Sequence, residues 1–292
     1  MTTSELNSLL SEKVGCVDIE YGVNLSKFSK YGTGGVGFAV VYPNSVEELK
    51  NIVNALENNV DYFVVGNGSN LLISDKGYSG VIIRTSKLNK ITFKSNFLIA
   101  ECGAMLSKVI SEMKNNSFGG LEFAIGIPAT VGGAVAMNAG CFNNSVSNSI
   151  KYVVTNKGVY NKENCQFSYR NSRFLKGETI LKVCFECQIV EPDLLEEKIN
   201  SYRSFRKNPK GKNCGSIFKN DGYFAGKVID ECGLKGYRVG GARISFEHAN
   251  FIVADDSATS YDIYSLIKSV KEKVLMKKGI TLQEELIHLG EF

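Results

Sequence analysis

Two short segments carry the residue types that a bound phosphate needs. GNGSN at 66–70 sets Gly66 and Gly68 among the polar side chains of Asn67, Ser69 and Asn70, and TVGGAVAMNAG at 130–140 contains Gly132 and Gly133. A backbone that binds a pyrophosphate must present N–H groups with no Cβ in the way. The second segment would do so at a helix start. The two lie about 60 residues apart, a separation compatible with two small domains clamping one large ligand. Neither fits a known nucleotide motif. There is no G-x-G-x-x-G opening a helix after a first strand and no Walker A lysine-serine pair. The alternative is that these glycines make tight turns in an ordinary fold, because glycine marks strained backbone of every kind. The residues by themselves leave both readings open.

The other chemistry-bearing residues are less pointed. Eight cysteines (Cys16, Cys102, Cys141, Cys165, Cys184, Cys187, Cys214, Cys232) follow a polar, acidic N-terminus without the basic-then-apolar pattern of a signal peptide. That implies free thiols in a reducing cytoplasm. Cys184 and Cys187 have half the spacing of a metal site, but they sit in ILKVCFECQIV, an apolar run that reads as a buried strand. Core thiols are therefore the preferred reading, and no metal is expected. The histidines His248 and His288 carry no catalytic signature; His248 reads as structural.

Composition bounds the function classes. The 292 residues are 43% hydrophobic and 22% charged, which describes a folded chain of two or three domains. The net charge of +4, from 34 basic and 30 acidic residues, is too small an excess to argue for nucleic acid. No apolar run is long enough to cross a bilayer. The 29 glycines come without a G-X-Y repeat, which excludes collagen.

The elements that must position these residues alternate between helix and strand. Residues 1–20 read as an amphipathic helix or a loose lead-in. Lys27–Val41 reads as extended, broken by a turn at Thr33–Gly37. Val46, Leu49, Ile52, Val53 and Leu56 have a helical period, with Ser45 as N-cap and Glu48 three residues on. Short strands are predicted at Tyr62–Val65, Leu71–Ile73 and Val81–Ile83. A strand pair follows within Ile91–Cys102, then a helix over Met105–Asn115. Strands over 150–155, 158–160 and 179–189 precede a helix started by Pro192. The basic, proline-containing stretch up to Lys212 reads as a domain boundary. Helices are predicted around 225–232 and over Tyr261–Lys278, with a strand at Phe251–Val253 and a terminal strand over Leu282–Leu289.

Laid end to end, the segments resemble one family. They are YGTGG (31–35), VVGNGSNLLI (64–73), GLEFAIGIPATVGGAVAMNAG (120–140), YRNSRF (169–174), CGSIFKN (214–220), AGKVIDECGLKG (225–236), GGARISFEHANFIV (240–253) and LQEEL (282–286). Together, and in this order, they are similar to the UDP-N-acetylenolpyruvoylglucosamine reductases (MurB). The absence of a long insertion is similar to the shorter, second type, which lacks a substrate-covering tyrosine loop. The resemblance implies an α+β fold: a two-part FAD-binding module of the vanillyl-alcohol-oxidase-like type, at 1–88 and 89–198, and a C-terminal α+β substrate-binding domain at 199–292. That plan allows the terminal strand to return to the FAD module.

The resemblance also implies the chemistry. NADPH reduces noncovalently held FAD and leaves. The enolpyruvyl nucleotide then receives hydride at its methylene carbon and a proton at the neighbouring carbon, giving UDP-N-acetylmuramate for peptidoglycan precursor and cell-wall synthesis. By the same resemblance Arg170 stabilises negative charge, Glu285 acts with it as a neutral carboxyl, and Ser216 donates the proton. The cofactor would be held by Thr33, Gly34, Gly35, Gly66, Asn67, Gly68, Ser69, Asn70 and Leu71. A second group comprises Gly126, Ile127, Pro128, Thr130, Val131, Gly132, Gly133, Ala134, Asn138, Ala139 and Gly140. Tyr169, Lys219, Asn220 and Lys227 would contact substrate or its diphosphate. The expected protein is a cytoplasmic monomer that binds a UDP-sugar and NADPH, with no nucleic-acid or membrane partner.

Several residues depart from the family pattern. Asp221 follows FKN where proline is usual, and Ala254 and Asp255 follow FIV where asparagine is usual. The basic loop with Arg203, Arg206, Lys207, Lys210 and Lys212 is shorter than the family's. Two rival readings remain: an oxidase of the same flavin fold with covalent FAD, for which Cys141 is the nearest thiol, and a noncatalytic nucleotide-binding protein.

Overall fold

The computed structural model describes residues 1–206 and 208–292; Lys207 of the basic loop lies outside them. By packing, the chain forms two compact units. The first comprises 1–21, 40–67 and 80–206, and the second comprises 22–39, 68–79 and the chain after 206.

In the first unit, helix α1 (Thr3–Lys13) begins at a capping box, in which Thr2 and Glu5 satisfy each other's amides, and buries Leu6 and Leu10. Helix α2 (Val46–Leu56) starts where Ser45 Oγ accepts from the Glu48 amide at 3.1 Å. Its Leu49, Ile52, Val53 and Leu56 form one buried stripe. Strand Tyr62–Val65 runs parallel to 81–84 and delivers the chain to Gly66. A five-stranded antiparallel sheet has the order 159–161, 150–155, 180–186, 97–101, 91–94. Cys184 sits in its central strand, opposite Tyr152 and Ile99. Cys184 and Cys187 are both buried, and burial pushes the Cys187 thiol up to about 11. These are protonated core thiols. Helices α3 (Leu106–Asn115), α4 (Val131–Ala136) and α5 (Pro192–Phe205, with proline in the first turn) complete the unit.

The second unit is built on α6 (Ala225–Glu231) and α7 (Ser260–Lys278). Val228 and Ile229 of α6 share a core with Ile263, Leu266, Ile267, Val270 and Val274 of α7, and with Ile217, Phe218, Leu282 and Leu286. The N-terminus of α7 is capped twice. Thr259 and Asp262 form a capping box, and the Asp75 carboxylate accepts from the amides of Ser260 (3.0 Å) and Tyr261 (2.9 Å). Gly279, in the left-handed region at φ 68°, ends the helix. A three-stranded antiparallel sheet joins 238–239, 242–244 and 252–254.

The terminal strand is shorter than the sequence predicts. Only Ile287–Leu289 is strand, paired in parallel with Leu71–Ile73. The segment before it faces a different partner: Lys219 N donates to Gln283 O and Glu285 N donates to Ile217 O, both at 2.8 Å. A segment that changes partner midway cannot carry one continuous ladder, although Leu282 and Leu286 are buried as their pattern suggested.

Candidate active site

In the first unit the two glycine segments meet. Asn67 Nδ2 donates to Pro128 O at 2.6 Å. Gly66 lies against Thr130 so closely that a Cβ would stand 2.2 Å from Thr130 Oγ1. Thr130 in turn caps α4, accepting from Gly133 N at 3.4 Å. The amides of Val131 and Gly132 donate to Ala104 O and Cys102 O, each at 2.8 Å. The first amides of α4 are therefore spent within the protein, and the tight backbone here is built as much for close packing as for a ligand.

The end of the same segment is fastened to YRNS. Asn138, buried and at φ 42°, donates to Ser168 O at 2.9 Å and accepts from Ser147 N at 3.3 Å. Ser172 Oγ donates to Ala136 O at 2.7 Å, and Arg170 Nη2 donates to Gly140 O at 2.7 Å. Ser168 and Asn171 exchange amide–carbonyl bonds of 3.0 and 3.2 Å, which leaves Tyr169 and Arg170 at the tip of a two-residue turn. Arg170 sits at φ 51°, with its guanidinium 4.9 Å from the centre of the half-exposed Tyr169 ring. Ser168, Ser172 and Ser147 were not singled out in the sequence; only their clustering around YRNS and MNAG signals them.

In the second unit the remaining candidates lie on three packed stretches. Gly68, at φ 64°, admits no side chain, since a Cβ would stand 1.7 Å from Phe28 O. Gly35 N donates to Ser74 O at 2.8 Å. The Thr33 hydroxyl is buried without a hydrogen-bond partner among the described residues. Asn70 Nδ2 donates to Glu285 O at 3.0 Å, and Leu71 O accepts from Ser29 Oγ at 2.8 Å.

Ser216 forms a bridge with Phe251. The strand-like run after it is held by Asn250, a residue that sequence reasoning did not single out. Asn250 Oδ1 accepts from Phe218 N at 2.9 Å, its Nδ2 donates to Phe218 O at 2.8 Å, and its backbone carbonyl accepts from Ile217 N at 2.9 Å. His248 Nδ1 accepts from Asn250 N at 3.2 Å, and burial lowers the pKa of the imidazole. This is the structural role read for His248. Asn220 Oδ1 accepts from Ala225 N at 2.9 Å and opens α6. Lys227 is exposed and 3.9 Å from Glu231.

Of the adjacent glutamates of LQEEL, Glu284 is held by two side chains. Glu284 Oε1 is 2.7 Å from Lys271 Nζ and its Oε2 is 3.0 Å from His288 Nε2. Burial works to raise its pKa, but the contacts from His288 and Lys271 outweigh burial and hold it at about 2. Glu284 is thus an ionised structural carboxylate. The departures from the family pattern are also accommodated. Asp221 Oδ2 accepts from Gln283 Nε2 at 3.3 Å, and Asp255 pairs with Arg238 at 2.6 Å.

Comparison with known proteins covers both units. Residues 38–161 match the FAD binding domain model, and residues 206–289 match the C-terminal domain model of UDP-N-acetylenolpyruvoylglucosamine reductase. The reductase of that name from Clostridium novyi (strain NT) is 37% identical over 298 residues, covering 98% of this chain and 97% of the relative. The chain belongs to the UDP-N-acetylenolpyruvoylglucosamine reductase family. The family member from Caldicellulosiruptor saccharolyticus is 39% identical, covering 92% of this chain and 91% of its own length. The crystal structure of the Thermus caldophilus reductase superimposes with a TM-score of 0.82 at 32% identity, over 94% of this chain and 99% of that one.

Family membership and the FAD-binding match make FAD the cofactor and the chain an α+β flavoprotein oxidoreductase. The residues present fit that group. In the first unit the segments at 66–67 and 126–130 lie side by side; in the second, the buried Thr33 hydroxyl has no hydrogen-bond partner among the described residues, and leaving such a group unpaired costs about 1–3 kcal/mol. No described helix is long and apolar enough to cross a membrane.

The Gly66–Thr130 contact makes a direct test of this cradle. A methyl at residue 66 would displace the Thr130 hydroxyl and with it the α4 cap, a loss of about 1 kcal/mol before any effect on the cofactor. Gly66→Ala is expected to lower the melting temperature and the flavin-to-protein absorbance ratio of the purified protein together. An unchanged ratio would remove 66–67 and 126–130 from the FAD cradle.

Proposed function

We propose that the chain catalyses the NADPH-dependent reduction of UDP-N-acetylglucosamine enolpyruvate to UDP-N-acetylmuramate, a step of peptidoglycan precursor synthesis. The observation that carries the catalytic assignment is the pairing of two short stretches in the second unit. The Glu285 amide donates to Ile217 O at 2.8 Å, so the residue after Ser216 and the proposed acid share one hydrogen bond. The neighbouring Glu284 is ionised and engaged by Lys271, and the role of the neutral acid is assigned to Glu285.

FAD, which the segments at 66–67 and 126–130 would hold, would supply the chemistry for hydride transfer from NADPH to the substrate's methylene carbon. Negative charge then develops on the enolpyruvyl group. Arg170, a permanent cation fixed by its bond to Gly140 O, stabilises that charge. The neutral carboxyl of Glu285 donates a hydrogen bond to the same developing enolate. The Ser216 hydroxyl delivers its proton to the adjacent carbon. Serine is a weak acid, so this depends on close placement next to a strongly basic carbanion. Tyr169, Lys219, Asn220 and Lys227 bind the nucleotide, with the lysines serving as point charges for the diphosphate.

Noncovalent attachment of FAD is supported at Cys141. Its thiol donates to Phe123 O and contacts Arg206, each at 2.9 Å, yet burial outweighs the arginine and pushes its pKa up. A protonated thiol is a poor nucleophile. Acid precipitation is expected to release the yellow colour into the supernatant.

The decisive test is anaerobic. NADPH should bleach the flavin absorbance, and the enolpyruvyl nucleotide should then restore it with formation of UDP-N-acetylmuramate. Bleaching without restoration by that substrate would overturn the assignment.

A further inference from the structure

The sequence places two glutamates side by side, and an extended stretch displaced by one residue would exchange their faces. Nothing in LQEEL itself says which carboxyl turns to the substrate. In the folded chain the choice is made by two residues from outside the pair. Lys271, on α7, lies 2.7 Å from one oxygen of Glu284, and His288 lies 3.0 Å from the other. The Glu284 side chain is only 22% exposed.

His288 is itself held. The His288 ring packs edge-on against Tyr264 at 5.7 Å and lies 5.2 Å from Phe292, and Tyr264 stacks on Phe292 at 5.0 Å. Tyr264 and Lys271 are seven residues apart on α7, a spacing that puts them on one face of the helix. Glu284 is also the backbone partner of Phe218, a fully buried core residue.

We propose that Lys271 and His288 act as a register pin: by capturing Glu284 they fix the 283–286 backbone and present Glu285, the next side chain along, to the substrate. They are positioning residues. Neither touches the reacting atoms. In extended chain, successive side chains leave opposite faces, so holding Glu284 toward α7 turns Glu285 away from it. The same clamp stabilises the Glu285 N–H bond to Ile217 O and the Asn70 bond to Glu285 O. The inference rests on the proposed role of Glu285 in the reduction.

Two readouts on the FAD-loaded protein test it, with Lys271→Met, Glu284→Gln and the donor-keeping variant Lys271→Arg. The first is amide hydrogen exchange across 283–289, which needs no substrate. Lys271→Met and Glu284→Gln are expected to speed exchange at Glu285 about tenfold, as local opening becomes easier. The second is rapid mixing of the reduced enzyme with the enolpyruvyl nucleotide. Here kcat for flavin reoxidation is expected to fall between about tenfold and about 10²-fold, the cost of an ångström-scale misplacement, with KM changed less than about twofold. Bleaching by NADPH should be unaltered. Lys271→Arg should avoid most of both losses seen with Lys271→Met.

Unchanged exchange overturns the pin. Faster exchange with unchanged kcat, or a rise in KM alone, overturns its role in positioning Glu285. Failure of the wild-type enzyme to reoxidise with this substrate would instead overturn the proposed reaction, leaving the exchange result to judge the pin.

Discussion

Replacing Ser216 with alanine is expected to leave NADPH-driven bleaching of the flavin at its wild-type rate and to slow reoxidation by the enolpyruvyl nucleotide by about 10²–10⁴-fold, the usual contribution of a placed general acid. The separation follows from what each half-reaction asks of the chain. Hydride arrival from NADPH needs no proton delivered to carbon. Reduction of the enol ether does, and the other proposed groups, Arg170 and Glu285, serve the oxygens rather than the carbon. The substitution itself is structurally mild. Residues 217 and 218 are held by Asn250 through both backbone and side chain, and those bonds do not involve the Ser216 hydroxyl. A large fall in the second half-reaction with an unchanged melting temperature would therefore report chemistry. If the reoxidation rate were also unchanged, the proton would come from elsewhere.

Much of the scaffold was legible because it obeys local rules. The Ser45 cap and the stripe through Leu49, Ile52, Val53 and Leu56 determine α2 from within one short window. Cys184 was readable as a strand thiol because Ile180, Leu181, Val183 and Phe185 put apolar side chains on both faces, as suits a central strand of a five-stranded sheet, whereas Cys187 is buried just past the end of that strand. The terminal segment was misjudged as one strand because its pattern of buried leucines is compatible with a ladder. That pattern does not show that 283–285 and 287–289 pair with stretches more than 60 and 200 residues away, 217–219 and 71–73.

The site divides the same way. The residue types in the two glycine segments suggested a phosphate cradle, and their juxtaposition at Asn67–Pro128 is a tertiary fact. Gly66 and Gly68 proved to be required by the protein's own atoms, Thr130 Oγ1 and Phe28 O. A sequence shows that Cβ is absent without showing what occupies its place. The functions of Asn250 and Lys271 were invisible for a related reason. Each acts through partners remote in sequence, and neither lies in a motif that names its role. Family resemblance implies Glu285, and the structure shows the neighbouring Glu284 engaged by Lys271 and His288.

Arg170→Lys is expected to lower the rate of flavin reoxidation by about 10²-fold, and Arg170→Gly by about 10³-fold, the range for loss of one donor to a developing anion. Lysine keeps the charge but lacks the planar fork, and it cannot both hold Gly140 O and reach the substrate in the same geometry. The glycine variant separates function from stability. Arg170 occupies the left-handed region at φ 51°, which costs a side-chain-bearing residue about 1 kcal/mol. Glycine recovers that strain and forfeits the guanidinium's contacts, among them the Tyr169 ring contact and the bond to Gly140 O, the latter worth about 1 kcal/mol. These effects oppose each other, so the melting temperature should move by only a few degrees, about 2–4 °C per kcal/mol for a domain of this size. The Ser168–Asn171 turn should persist, since its paired backbone bonds do not use the guanidinium. A thousandfold loss in the second half-reaction on a chain of nearly wild-type stability would place Arg170 in the chemistry. A loss that tracked the melting temperature would make it a turn residue.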